Sequence, residues 1–339
     1  MWWARMKRDN PSLYGALQLG LFVNVLLRAQ TLFWTREGLA TLLSGILVTA
    51  AAGLVFARVW PLVQCRLLRW AFIALLLAGS VLDILSLWQL YVAVYPDVVS
   101  LFGICLTVLI PVAYLRRVSA IAQTANVVLG LLLAACVVLV LSVAERLRVV
   151  NLQTVALDAA AWRRAMGAQC TLYPELLLPA LWPDHEKRGS HTVVRLAVFG
   201  AVFNVGVHLL LELFFGAAMP DAENPLHQAA RCGALSVFDR LEWLQLIVWT
   251  MAVSVKLALH LYAVTRLAGG PRTDENSLTA MPFFAGYLAL MLLLCAVAKN
   301  WDFAMMSAVR NAAAWGFTAL VAGLGGIRWL TGFAAPKRA

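Results

Sequence analysis

The chain has 339 residues, of which 62% are hydrophobic and only 13% charged, and its mean hydropathy is +0.81. That balance excludes an ordinary water-soluble core and describes an all-α, polytopic membrane protein. The formal net charge of +10 does not mark a nucleic-acid binder. Its basic residues fall singly or in short groups between apolar runs, where they act as topology signals.

Allowing ~20 apolar residues per crossing, spans are expected near residues 13–30, 39–57, 69–94, 98–115, 121–144, 169–183, 194–219, 241–264, 280–297 and 303–327, about ten in all. Arg5, Lys7 and Arg8 precede the first run as in a signal peptide, but LLRAQ after it lacks a small-x-small cleavage pattern. An uncleaved first span is therefore expected. With the amino terminus inside, Arg58, Arg66, Arg69, Arg116, Arg117, Lys187, Arg188 and Arg328 fall on the cytoplasmic side. With Arg5, Lys7, Arg8, Arg266, Arg272, Lys337 and Arg338 they make fifteen and outweigh the eight on the opposite side, where Arg146, Arg148, Arg163 and Arg164 share one long loop in which the rule is weak. Both termini are expected in the cytoplasm.

The long loop, 145–168, is expected to hold an interfacial helix over 154–166, anchored by Trp162. It divides a single transmembrane domain, 1–339, into a first five-helix repeat (1–144) and a second (169–327), followed by a basic tail (328–339). The second repeat opens on QCTLYPELLLPALWP, where Pro174 and Pro179 break an apolar run beside Glu175. Backbone freed at membrane depth is tolerated only where it is buried in protein or lines a cavity, so this broken sixth helix is expected to face a site. The plainer alternative is that the prolines only shape a short helix, with Glu175 at the interface. In folds of this layout, five helices plus five in an inverted repeat, two corresponding interrupted helices form a midplane site. The partner of the sixth is then the first, where Gly20 and Asn24 are the softening points.

Three stretches resemble the spore germination permease family, the GerAB-like B subunits of GerA-type germinant receptors in the amino acid/polyamine/organocation superfamily. They are YVAVYPDVVSLFGICLTVLIPVAYLRRVSAIAQTANVVLGLLL, CTLYPELLLPALWPDHEKRG and DRLEWLQLIVWTMAVSVKLALHLYAVTRL, in matching order and spacing. The first span, SLYGALQLGLFVNVLLRAQ, departs from the family's small-residue and proline pattern. The resemblance implies a LeuT/APC-like inverted repeat and a small germinant such as an amino acid. It also implies a spore inner membrane location and assembly with an A-type membrane subunit and a C-type lipoprotein subunit. It places the third and eighth helices beside the central site.

Charges inside spans cost roughly 2.5–3.5 kcal/mol on insertion scales, so each needs a partner or a cavity. Asp83 lies midway along the third span and Lys256 deep in the eighth. They are expected to approach one another or to share a polar cavity with Glu175; the alternative is two groups solvated apart. The candidate ligand-binding set is Asn24, Asp83, Gln169, Thr171, Tyr173, Glu175 and Lys256. A half-helix amino terminus after Pro174 is a further receptor for a carboxylate. His260, four residues from Lys256, is expected to be neutral, because two cations at that spacing repel. His208 and Glu212 share the same spacing without a third ligand, which favours an internal hydrogen bond over a metal. The tryptophans, Trp60, Trp70, Trp301 and Trp329 among them, read as interfacial anchors. GLGG at 323–326 reads as close helix packing. The six cysteines form no disulfide or zinc pattern, and no nucleophile has a convincing base. The chain is thus not expected to be an enzyme or to carry a cofactor, and the resemblance implies a germinant sensor. The alternatives are a proton-coupled amino acid or polyamine transporter and a non-binding structural receptor subunit.

Overall fold

The computed structural model describes residues 13–27, 36–95, 98–115, 117–152, 159–160, 163, 170–181, 189–216, 225–233, 241–269 and 281–330. They are helical almost throughout: α1 Tyr14–Leu27, α2 Arg36–Val63, α3 Arg66–Val94, α4 Leu101–Tyr114, α5 Val118–Val143, α6 Gly189–Phe215, α7 Pro225–Cys232, α8 Leu241–Leu267, α9 Met281–Ala298 and α10 Phe303–Leu330. Among the described residues, five helices are long and apolar enough to cross a membrane by length and composition, and three shorter ones are apolar. The protein is therefore a helical membrane protein.

The expected sixth span is the exception. Residues 170–181 form no α-helix. Two short 3₁₀ turns, Pro174–Leu176 and Leu178–Leu181, follow an extended start. Each proline sits at or near the beginning of a turn, where its missing N–H costs least, and each forbids the i→i−4 ladder that would join the turns into a helix. The expected softening of the first helix is absent, and α1 runs unbroken through Gly20 and Asn24. The interfacial helix expected over 154–166 falls mostly outside the described residues, as does nearly all of the basic tail.

Helix α8 is the centre of the bundle, packing against α1, α3, α4, α5 and α7, and it is buried along most of its length. Helix α3 is the second centre, packed on α8, α10, α9 and α4 and touching the Pro174–Leu176 turn. Polar side chains inside these helices are neutralised locally. Thr250, Ser254 and Thr265 of α8, and Ser80 and Ser86 of α3, each donate to the carbonyl four residues back. This lets a hydroxyl sit in a dry helix without an unmet donor. Helix α5, by contrast, turns Val127, Leu131, Val137 and Leu141 outward, as a lipid-facing helix requires.

Two expectations about packing residues resolve differently. Trp60, read as an interfacial anchor, is 1% exposed and stacks on Phe56, with Phe72 and Phe317 closing the cluster. Its position near a helix end did not decide its surroundings, because α3 and α10 cover that end. Trp70, Trp301 and Trp329 are exposed, as anchors are. Gly325 in the GLGG stretch lies so close to Val59 of α2 that a Cβ there would collide with it, which is the expected close packing.

Candidate functional site

Four elements converge on Glu175. Helix α1 supplies Asn24, α3 supplies Ser80 and Asp83, and α8 supplies Lys256 and His260, one turn apart on one face. Glu175 is the second residue of the Pro174–Leu176 turn. All are buried, Lys256 at 1% exposure and the others at zero. Gly20, one turn before Asn24, makes room for the carboxylate. A Cβ on it would stand 2.7 Å from Glu175 Cγ, far inside van der Waals contact.

The Lys256 ammonium meets three oxygens, donating a hydrogen bond to Asn24 and forming ion pairs with two carboxylates. Nζ lies 2.6 Å from Asp83 Oδ2, 2.6 Å from Asn24 Oδ1 and 3.1 Å from Glu175 Oε1. Asn24 turns its other face to the same carboxylate, with Nδ2 donating to Glu175 Oε2 at 2.8 Å. These two bonds fix the orientation of the amide. His260 Nε2 is 3.1 Å from Glu175 Oε1, and His260 Nδ1 is 2.9 Å from Ser80 Oγ. The ionisable groups of the cluster are thus paired with one another, as burial at this depth demands.

Charge balance sets the protonation of the cluster. Asp83 and Glu175 bring two carboxylates and Lys256 one ammonium, so a neutral His260 leaves a net negative charge in a dry interior, which is costly. One additional proton closes the balance. On His260 it would make an imidazolium that donates to Glu175 Oε1 and Ser80 Oγ. The reason for expecting a neutral His260 was repulsion by Lys256. Glu175 Oε1 lies 3.1 Å from both Lys256 Nζ and His260 Nε2 and so stands as a partner to each.

The unwound segment is pinned from α10. Asn311 Oδ1 accepts from the Leu172 N–H at 2.9 Å, and Trp315 Nε1 donates to the Cys170 carbonyl at 2.7 Å. The Arg310 guanidinium lies 5.6 Å from the centre of the Tyr173 ring. Backbone groups that a helix would have paired are paired across to a neighbour, so the segment can be both irregular and buried.

Asn24, Asp83, Glu175 and Lys256 thus come together as one cluster. Tyr173 is half-buried and its ring meets Arg310, while Thr171 stands one residue before the bond from Leu172 to Asn311. Gln169 lies outside the described residues. The half-helix amino terminus expected after Pro174 is a three-residue turn, and the N–H groups of Leu176 and Leu177 bond back to Tyr173 and Pro174. Those donors are spent within the turn and do not receive a carboxylate. His208 and Glu212 are both buried in α6, with His208 Nδ1 unpartnered among the described residues. No group of three His, Cys, Asp or Glu residues among them is placed to hold a metal.

Sequence reasoning missed Ser80, the role of His260, and the α10 residues that hold the segment. Ser80 had a readable signal, lying three residues before Asp83 and so on the same helix face. Asn311 and Trp315 form a four-residue pair in RNAAAW, legible as one face but not as a partner of residues 170–172. Compared with known protein families and with curated proteins, the chain matches none.

Proposed function

We propose that this chain is a ligand-responsive membrane protein of transporter-like architecture, the germinant-sensing B subunit of a spore germination receptor, taking an amino acid-like germinant. The observation that carries this reading is the ion pair at the break. The Lys256 ammonium rests on the Glu175 and Asp83 carboxylates at a point where four elements meet. A zwitterion presents the same two groups. Its ammonium would compete with Lys256 for the carboxylates, and its carboxylate would compete with Glu175 for Lys256. A ligand exchanging these contacts biases the bundle by binding one arrangement more tightly than the other.

The five-plus-five repeat belongs to this reading and is supported by the packing. Segment 170–181, α6, α8, α9 and α10 are taken as counterparts of α1, α2, α3, α4 and α5. Contacts then recur in pairs: α1 on α8 with the segment on α3, α5 on α8 with α10 on α3, α4 on α8 with α9 on α3, and α1 on α6 with the segment on α2. Counting the segment as a tenth, non-helical crossing gives the ten-span layout, with both termini cytoplasmic.

A panel of amino acids tested for raising the melting temperature of the purified chain addresses the reading directly, since a ligand of the folded state stabilises it. The expected result is a saturable rise with at least one member that Glu175→Gln abolishes. A rise that Glu175→Gln leaves intact removes Glu175 from the pocket. No rise with any member, alone or with the A-type and C-type subunits present, removes the sensing role.

The second reading is a proton-coupled amino acid or polyamine transporter. The charge balance favours it, because a site with two carboxylates, one lysine and one histidine has a place for a mobile proton beside the ligand contacts. Uptake by the chain alone in liposomes, driven by a pH gradient, separates it from the sensor.

A further inference from the structure

A second site lies away from the cluster. Helices α1, α5, α6, α7 and α8 enclose a cavity of about 330 Å³. Its walls are almost wholly apolar, with Phe203, Leu210, Leu226 and Trp249 among the lining residues. Its rim includes Leu133, Val140 and Val202, all exposed on the outer faces of α5 and α6. In a bilayer those faces meet hydrocarbon, so the medium at the mouth of the cavity is lipid.

One polar side chain breaks the apolar lining. Gln245 is 9% exposed, lines the cavity, and neither its Nε2 nor its Oε1 has a hydrogen-bond partner among the described residues. A buried amide with both ends unmet is costly unless a further group meets it, and a ligand in the cavity is placed to do so. Its depth narrows what that can be. Helix α8 has 27 residues, ~40 Å at 1.5 Å per residue, against a hydrocarbon core of ~30 Å. Lys256, near the middle of the helix, falls close to the midplane. Gln245, the fifth residue, falls ~6 Å from the start, at the boundary where acyl chains join their ester groups.

We propose that this cavity is a lipid site, which holds one acyl chain of a glycerophospholipid with Gln245 bonded to its ester. The chain enters between α5 and α6 and fills the space against Phe203 and Trp249. The Gln245 Nε2–H donates to the ester carbonyl, and Oε1 accepts from a headgroup donor or an interfacial water. Lipid tails gain no hydrophobic free energy by leaving other lipid tails, so selectivity comes from packing and from this amide. An engineered apolar cavity of ~150 Å³ stays dry and takes up benzene, and the apolar walls here favour hydrocarbon in the same way. The site shares α1 and α8 with the buried cluster, but the proposal does not depend on what that cluster binds.

The test is native mass spectrometry of the whole chain, exchanged from detergent into mixed micelles carrying dioleoyl phosphatidylglycerol, read together with its melting temperature. The wild type is expected to retain one phospholipid and to melt higher with it. Gln245→Leu should weaken retention about tenfold, which corresponds to ~1.4 kcal/mol. No atom stands within 4 Å of a Cβ built on Gly206, another lining residue. Gly206→Phe should therefore fill the cavity, abolish retention and raise the melting temperature in lipid-free detergent. Equal retention by wild type and Gln245→Leu overturns the proposal, as does protection of the cavity by a second copy of the chain. Stabilisation by hexadecane that matches the phospholipid, and that Gln245→Leu does not alter, also overturns it.

Discussion

Helix α1 and segment 170–181 meet at the same point and solve opposite problems. Helix α1 is a continuous helix whose backbone pairs with itself, so it contributes only side chains, an amide at Asn24 and a missing one at Gly20. The segment has given up helical pairing at Pro174 and Pro179, and hands its backbone to Asn311 and Trp315 of α10. In return Glu175 is carried by a turn only three residues long. The comparison teaches that a membrane-buried carboxylate can be positioned by an unwound backbone, provided a neighbouring helix takes over the hydrogen bonds. The opposing helix must also yield the volume.

The largest expected effect comes from removing the cation both elements share. Lys256→Met takes from Asp83 and Glu175 the ammonium they share, and should destabilise the fold by about 3–5 kcal/mol. The double variant Lys256→Met, Glu175→Gln should recover a large part of that loss. Thermal unfolding of the four proteins of the cycle measures the coupling. Full additivity would show that the two groups do not interact.

Next is the volume yielded by α1. Gly20→Ala gains up to ~1 kcal/mol of helix propensity but forces a Cβ against Glu175 Cγ, and overpacking costs about 1–3 kcal/mol. A net loss is expected. Gly130 in α5 is the control, since nothing stands within 4 Å of a Cβ there, and Gly130→Ala should stabilise. If the two variants shift the melting temperature alike, Gly20 is not a space-making residue.

The smallest effect concerns the anchor. Trp315→Phe keeps the ring but removes the donor to the Cys170 carbonyl, at a cost of about 1 kcal/mol. Hydrogen exchange should quicken at residues 170–177 and stay unchanged in α1. Quickening in both elements would mean that they are held as one unit.

Much of the cluster was legible in the sequence because ionisable groups in apolar runs have few explanations. Asp83, Glu175 and Lys256 stand out for that reason alone, and the two prolines announced a break. What could not be read was how completely the break would unwind the segment. That depends on acceptors and donors at 311 and 315, and no local pattern ties those positions to 170 and 172. The spacing of His260 from Lys256 was legible, but its contact with Glu175, 85 residues away, was not. Trp60 was misplaced for a related reason, because position along a helix does not say which other helices cover its end.

The cluster also has a history during synthesis. Glu175 leaves the ribosome 85 residues before His260, and Asn24 leaves 232 residues before Lys256. At ~5–20 residues per second, roughly 4–17 s pass between the carboxylate and its last partner. Through that interval the segment has neither the α8 ammonium and imidazole nor its α10 hydrogen-bond partners, so its carboxylate must wait protonated, at the interface, or in the care of the insertion machinery. The arrangement that closes the finished site makes its assembly strictly ordered, with α8 the step before which no part of the ion pair can form.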